Sequence, residues 1–489
     1  MTPVLLLAPA AVPLLGVGLY LAVGWRPATR WVSAGSAAVT LAAAIALAVS
    51  GPQAALGGLV RADALSAFML IVIGAVGVLA TAATPAFLRA EIEAERATAR
   101  TAARHSVLVQ LFLAAMALAV LAANLGVLWI AIEATTIVTA FLVGQRRTRQ
   151  AVEAAWKYVV ICSAGIALAL LGTFLLNYAA RHAPGAPGLD MAALAHAASG
   201  LDPGVTRIAA ALLIIGFGAK AGLAPLHAWL PDAHSQAPAP VSALMSGVLL
   251  SVAFYAILRV KVIADAALGT GFARTLLVVL ALASLLLAAS LLLAQRDYKR
   301  MLAYSSVEHL GLVALGAAAG SPLALAAALL HVMGHGLVKG VLFLAAGRVL
   351  QIERTSRIDG VRGLAARHPV LAGCLGLGVL ALIGLPPFSV FASELGIART
   401  GFAAGLGWAT AAALAIVVVI AAALITHTSR MLLGTPSEGP GTASAPVRLP
   451  GAFALPLVIG LMASAALGVT AGPLSSLLHR AAETLTGAS

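Results

Sequence analysis

The sequence predicts an all-α polytopic membrane protein of about fourteen transmembrane helices, and three observations predict it. Of 489 residues, 61% are hydrophobic and only 10% charged, whereas a soluble domain carries about 25% charged residues. Apolar runs long enough to cross a ~30 Å hydrocarbon slab recur along the whole chain. The basic residues between those runs fall unevenly on alternate sides. The longest polar stretches, 89–105, 179–204 and 434–449, are loop-sized, so no separate soluble core is expected.

In order, the spans lie near 3–22, 31–50, 64–88, 106–123, 125–144, 154–178, 205–235, 239–263, 273–294, 302–319, 321–350, 368–398, 404–433 and 451–478. Residues 3–22 lack the basic start of a signal peptide and are expected to be a retained first helix. Of the thirty Lys and Arg residues, twenty fall in loops on one side and eight on the other, with Lys220 and Lys339 inside spans. That bias puts the twenty-residue side in the cytoplasm and both termini on the outer, periplasmic side of a cell inner (plasma) membrane. The net charge of +13 is thus a topology signal, and no nucleic-acid partner is expected. Cys162 and Cys374 both sit in apolar runs, and there is no Cys-x-x-Cys pair. An iron–sulfur cluster or a thiolate-held zinc is therefore not expected, and no cofactor is assigned to this chain. Nucleophilic triads, phosphate loops and dinucleotide fingerprints are equally unsupported.

Two long spans carry internal prolines: span seven has Pro225, and span twelve has Gly384-Leu-Pro386-Pro387. Proline removes a backbone donor and clashes with the preceding turn, so both helices are expected to break. In a bilayer the freed carbonyls must find partners or line a polar path. The two spans are five apart and therefore cross in opposite directions. That pattern suggests inverted repeats: residues 106–263 (spans four to eight) against 273–433 (spans nine to thirteen). Residues 1–105 form three preceding helices, and 451–489 the last.

Four charges lie within apolar surroundings: Glu133, Lys220, Lys339 and Glu394. Lys220 is thirteen residues past Arg207 and twelve before Asp232, so it lies ~20 Å along its helix from Arg207, close to mid-membrane. A lysine there costs about 2.5–3.5 kcal/mol on the insertion scale, which marks it as functional. Glu133 and Lys220, brought together, would share a proton or pair as ions. A pair whose separation changes is a switch, because burial penalises a lone charge and a close partner restores it. The alternative is a static ion pair clamping two helices. His331, His335 and Lys339 recur every four residues and share one helix face. Histidine suits proton transfer, and with Glu308 and His309 on span ten this stripe extends toward mid-protein. Two histidines at i, i+4 also suit zinc, but no intervening Glu and no third ligand is evident, so no metal is expected.

These residues resemble the antiporter-like membrane subunits shared by respiratory complex I, group 4 membrane-bound hydrogenases and Mrp cation/proton antiporters. The resemblance covers roughly residues 60–435. It rests on Trp129-Ile-Ala-Ile-Glu133, on Lys220-Ala-Gly-Leu-Ala-Pro-Leu-His227-Ala-Trp-Leu-Pro-Asp232-Ala-His234, on Asp297-Tyr-Lys-Arg300, on the Lys339 helix and on Gly-Leu-Pro-Pro-Phe…Ser-Glu394. Glu153-Ala-Ala-Trp-Lys157-Tyr and Tyr304-Ser-Ser-Val-Glu308-His309 are most similar to the hydrogenase-4 component F branch. The resemblance implies a proton-translocating subunit whose partner membrane and peripheral subunits carry the electrons. Protons are the implied cargo, with sodium ions, as in an Mrp-like exchanger, or a non-conducting scaffold as alternatives. It also implies that Glu133 and Lys220 form a modulating pair, Lys339 a central relay and Glu394 the terminal group near the outer exit. One departure stands out: several relatives carry Lys or His in span eight where this chain has Ser251, so a water link to the second half is expected there. The chain also ends about ten residues after span fourteen, without the long lateral helix of the largest members.

Overall fold

The computed structural model describes residues 2–434 and 449–486; the stretch 434–449, with Arg448, lies almost wholly outside them. The chain begins with α1 (Thr2–Val23) and α2 (Val32–Ser50), a hairpin of β1 (Gln53–Ala55) and β2 (Val60–Ala62), and α3 (Ala64–Glu93). It continues through α4 (Ala99–Leu121), α5 (Leu125–Val143), α6 (Arg149–His182), α7 (Met191–His196), α8 (Pro203–Ala221), α9 (Trp229–Gln236), α10 (Ala239–Leu244) and α11 (Leu250–Leu268). The remainder comprises α12 (Thr270–Leu293), α13 (Tyr298–Ala319), α14 (Pro322–Glu353), α15 (Leu364–Arg367), α16 (Pro369–Leu382), α17 (Ser389–Ala403), α18 (Gly407–Leu433), α19 (Gly451–Val469) and α20 (Gly472–Thr486).

Among the described residues, thirteen helices are long and apolar enough to cross a membrane. The halves α16 and α17 together supply one further crossing, which accounts for the expected fourteen. Helix starts follow cap chemistry. Asp63, Thr98, Thr148, Asp202, Asp297 and Ser321 each accept a backbone N–H three residues on, satisfying donors that a helix leaves open. The core centres on α14, which touches α3, α10, α13, α16, α17, α19 and α20. α14 and the α10–α11 span are buried along their apolar length. Large apolar side chains of α1, α5, α6, α18 and α19 point outward, as surfaces meant for lipid or for other membrane subunits do.

Both proline-marked spans break. α8 stops at Gly222, a left-handed glycine with φ 81°, and α9 resumes only at Trp229. The interrupted backbone finds partners: the Trp229 indole donates to Ala219 O (2.9 Å) and Ala224 N donates to Ser284 Oγ (2.9 Å). α16 ends before Gly384 (φ 70°), and α17 begins after Pro387. Prolines 9 and 13 in α1, 85 in α3 and 456 in α19 leave their helices continuous. An unpredicted feature is a single π turn, Met245–Leu249, joining α10 to α11.

Three expectations need correction. The stretch 179–204 is largely helical, because α6 runs on to His182 and α7 follows. The stretch 89–105 is likewise mostly the ends of α3 and α4. Span fourteen stops at Val469, not near 478, and a separate helix α20 follows. α20 buries Leu477, Leu478, Ala481, Ala482 and Leu485 against α3, α11 and α14, so the tail is a docked amphipathic helix.

Candidate functional site

Lys220 occupies the last turn of α8, where the helix dipole favours a cation, and is fully buried. Its Nζ donates to Tyr158 OH of α6 and to Thr136 Oγ1 of α5 (2.9 Å). Glu133 lies one turn before Thr136 on α5. Its Oε1 accepts from Ser163 Oγ (3.3 Å), and its Oε2 is buried with no partner among the described residues. No Glu133–Lys220 ion pair is formed. The two groups face the same α5–α6 seam but bond to separate hydroxyls, so a static closed ion pair is not what this conformation contains.

Aromatic rings line the break after Lys220. Tyr158 meets Trp229 edge-on at 4.9 Å between ring centroids, Trp229 stacks near His234 at 6.5 Å, and His234 stacks on Phe343 at 5.0 Å. His234 is fully buried, and neither ring nitrogen has a partner among the described residues. Lys339 Nζ lies 5.8 Å from the Phe343 ring and donates to Leu302 O and to Ser305 Oγ (2.5 Å) of α13. In sequence His234 stands near the polar end of span seven, outside the apolar run that marks Lys220. The signal was available: the proline break turns the chain, so a residue counted as terminal faces inward. Ser251, by contrast, is buried, and its Oγ has no partner among the described residues.

α9 is held from below at the arginine-rich face. Asp232 pairs with Lys157 (3.1 Å) and with Arg300, while Lys299 Nζ donates to Ser235 O (2.7 Å) and Ala237 O (3.0 Å). Replacing Asp232 with Ala would leave Arg300 without its carboxylate at the foot of the His234 helix, while Lys157 keeps its pair with Glu153 (2.7 Å). The pairs are partly exposed, so the stability loss is expected to be small, about 0–1 kcal/mol each. An Asp232→Ala complex should assemble normally, with any loss of activity coming from movement of α9; failure of assembly would contradict this.

In the second half, His309, His331 and His335 cluster. His309 has ring centroids 5.0 Å from both His331 and His335. The proton positions between them follow from one hydroxyl. Ser393 Oγ donates to Val390 O (2.8 Å), so it accepts from His331 Nδ1 (3.0 Å). In the neutral ring His331 Nε2 then has a lone pair and accepts from His309 Nδ1 at 2.9 Å. His309 Nε2 and His335 Nε2 are buried without partners among the described residues. Glu308 is buried on α13, with Oε2 also unpartnered. Glu394, in the second turn of α17, folds its carboxylate against Gly384 of the break, so close that any side chain at 384 would collide with it. The break itself is braced by α19: Ser464 Oγ is 2.9 Å from Ser389 Oγ, and Gly468 abuts Pro387 O. Pro225, Pro386 and Pro387 therefore all stand in the two interruptions beside ionisable groups.

Residues 122–421 match the family model described as NADH:quinone oxidoreductase/Mrp antiporter, transmembrane. A hydrogenase-4 component F homolog of Methylacidiphilum infernorum is 40% identical over 350 residues, covering 71% of this chain and 73% of the relative. The archaeal membrane-bound sulfane sulfur reductase contains a chain with TM-score 0.85 and 26% identity, matching 99% of this chain and 97% of its own. The Mrp complex of Dietzia sp. DQ12-45-1b contains one with TM-score 0.87 and 24% identity, matching 100% of this chain and 98% of its own, a likeness of fold. With the broken helices and buried Lys, His and Glu groups in place, this chain belongs to the NADH:quinone oxidoreductase/Mrp antiporter membrane family, as an antiporter-like subunit.

Proposed function

We propose that this chain translocates protons within a complex I-like or group 4 hydrogenase-type oxidoreductase whose other subunits carry the electrons. The observation that carries this reading is the file of buried ionisable groups across both halves: Glu133, Lys220, His234, Lys339, His335, His309, His331 and Glu394, with Glu308 alongside. Each is buried or half-buried, and an isolated charge at mid-membrane is rarely kept without a use. Glu133 and Lys220 act as the switch at one end, Lys339 as the central carrier, and Glu394 as the terminal group toward the outer side. Residues 106–263 and 273–433 form the two inverted units, with 1–105 and 451–489 outside them. The chain lies in the inner membrane, with the arginine-rich loops in the cytoplasm and both termini outside.

His234 takes the place that span eight leaves vacant at Ser251. The link between halves then runs through the broken helix, not through span eight.

The direct test is Lys220→Ala in membrane vesicles, with redox-driven acidification as readout. Loss of acidification with a normally assembled complex is expected, and full retention would sink the relay. His234→Ala should slow acidification on the order of ten-fold, a barrier increase of about 1.4 kcal/mol; an unchanged rate would return the link to span eight. An Mrp-like sodium/proton exchanger is separated by its cargo: sodium-dependent, redox-independent proton exchange by the isolated assembly would replace the redox reading.

A further inference from the structure

We propose that His309, His331 and Glu394 form a zinc(II)-binding site that joins α13, α14 and α17. One ligand atom from each residue lies within 4.8 Å of the other two. Closing this group around an ion at ~2.0–2.2 Å per ligand takes side-chain adjustment only. The donors are already arranged for it. Ser393 Oγ accepts from His331 Nδ1, which fixes the ring and leaves Nε2 as the ligating lone pair, the outer-shell contact that zinc-bound histidines usually make. His309 Nδ1 is 2.9 Å from that Nε2, and two nitrogens on one tetrahedral zinc sit at roughly 3.3 Å, so the rings need only part slightly. Glu394 Oε1 is buried and has no partner among the described residues.

Zinc would enter where His309 and His331 now share a proton. His309 then holds its single proton on Nε2, which has no partner among the described residues, and presents the Nδ1 lone pair to the metal. The exchange is a tautomer shift with no change in ring charge. The donor set selects the ion: two imidazoles and one carboxylate suit a borderline transition metal, while hard cations take oxygen ligands. A small cavity of about 20 Å³ reaches Glu394 between Leu312, Leu315, Ile397, Thr410 and Val417. Its lining is almost wholly apolar and includes neither histidine, so the protein's own part in the site is three ligands. Of the i, i+4 histidines only His331 takes part; the other two ligands come from α13 and α17, which no spacing on α14 reveals.

The test uses the intact complex in detergent, stripped with a chelator and titrated with zinc sulfate. The zinc-edge absorption difference spectrum of the wild-type complex, loaded minus stripped, should show two imidazole nitrogens and a carboxylate oxygen. His331→Ala and His309→Ala should each lose one zinc per chain. Ser393→Ala should weaken that zinc by about 10–100-fold, as loss of an outer-shell orienting group does. A difference spectrum without imidazole nitrogens, or unchanged zinc stoichiometry and affinity in His331→Ala, would overturn the proposal. Binding does not depend on whether the chain pumps. Inhibition of acidification by zinc does rest on the proposed relay, and its absence with zinc bound would count against that relay alone.

Discussion

Lys339→Met is expected to abolish redox-driven acidification, by on the order of 100-fold or more, while the complex still assembles. Lys339 is fully buried on the helix that contacts more of the core than any other element named above. Its Nζ donates to Leu302 O and Ser305 Oγ of α13, between the Phe343–His234 stack on one side and the histidine cluster on the other. Removing the ammonium relieves a mid-membrane charge worth about 2.5–3.5 kcal/mol on the insertion scale. Methionine keeps most of the stem volume, so it avoids the roughly 2–5 kcal/mol cavity that alanine would open. Assembly should therefore survive, and a loss of transport reports the missing proton carrier. Lys339→Arg supplies the decisive comparison. Arginine keeps the positive charge but does not release its proton. A relay predicts that Lys339→Arg fails like Lys339→Met. If Lys339→Arg pumps at the wild-type rate, Lys339 acts only as a fixed charge and the carrier role is wrong.

Much of this site is legible in sequence because its strongest signal is local. A charge in an apolar run is visible without knowing the fold, and Glu133, Lys220, Lys339 and Glu394 all announce themselves this way. Proline breaks are equally local, since the missing donor and the ring clash belong to the residue itself. What is not local cannot be read this way. Lys220 bonds to Tyr158 and Thr136, not to Glu133, and only the packing of α5, α6 and α8 decides that. His234 reads as a span end until the break at Gly222 turns the chain inward. The tail at 451–478 reads as one apolar span because composition averages over faces. α20 is apolar only along Leu477, Leu478, Ala481, Ala482 and Leu485, with Arg480 and Glu483 between them. Glu394 reaches His331 across a sequence separation that no helical spacing rule connects.

Gly336→Val is expected to impair assembly far more than a glycine substitution at an open position such as Gly373, because α14 crosses the π turn of the neighbouring span backbone to backbone. A methyl group on Gly336 would lie 2.7 Å from Gly247 O, and one on Gly247 would lie 2.9 Å from Gly336 O and 2.9 Å from Val76 Cγ1. The nearest opposing atoms are backbone carbonyls, which cannot rotate away as a side chain can. Small residues allow such contact between membrane helices, and overfilling a packed site typically costs about 1–3 kcal/mol. Here the cost should reach or exceed the upper end, since a branched side chain must push α14 away from Met245–Leu249. The same displacement would shift His335, one residue before, and Lys339, three residues after, so surviving complex should also transport poorly. Gly373→Val is the control: it lies on α16, with nothing within 4 Å of an added methyl. Thermal unfolding of the purified complexes measures the difference, with Gly336→Ala expected between wild type and Gly336→Val. Equal unfolding midpoints for Gly336→Val and Gly373→Val would show that the α14 crossing yields easily, and that the histidines and Lys339 are not held in place by it.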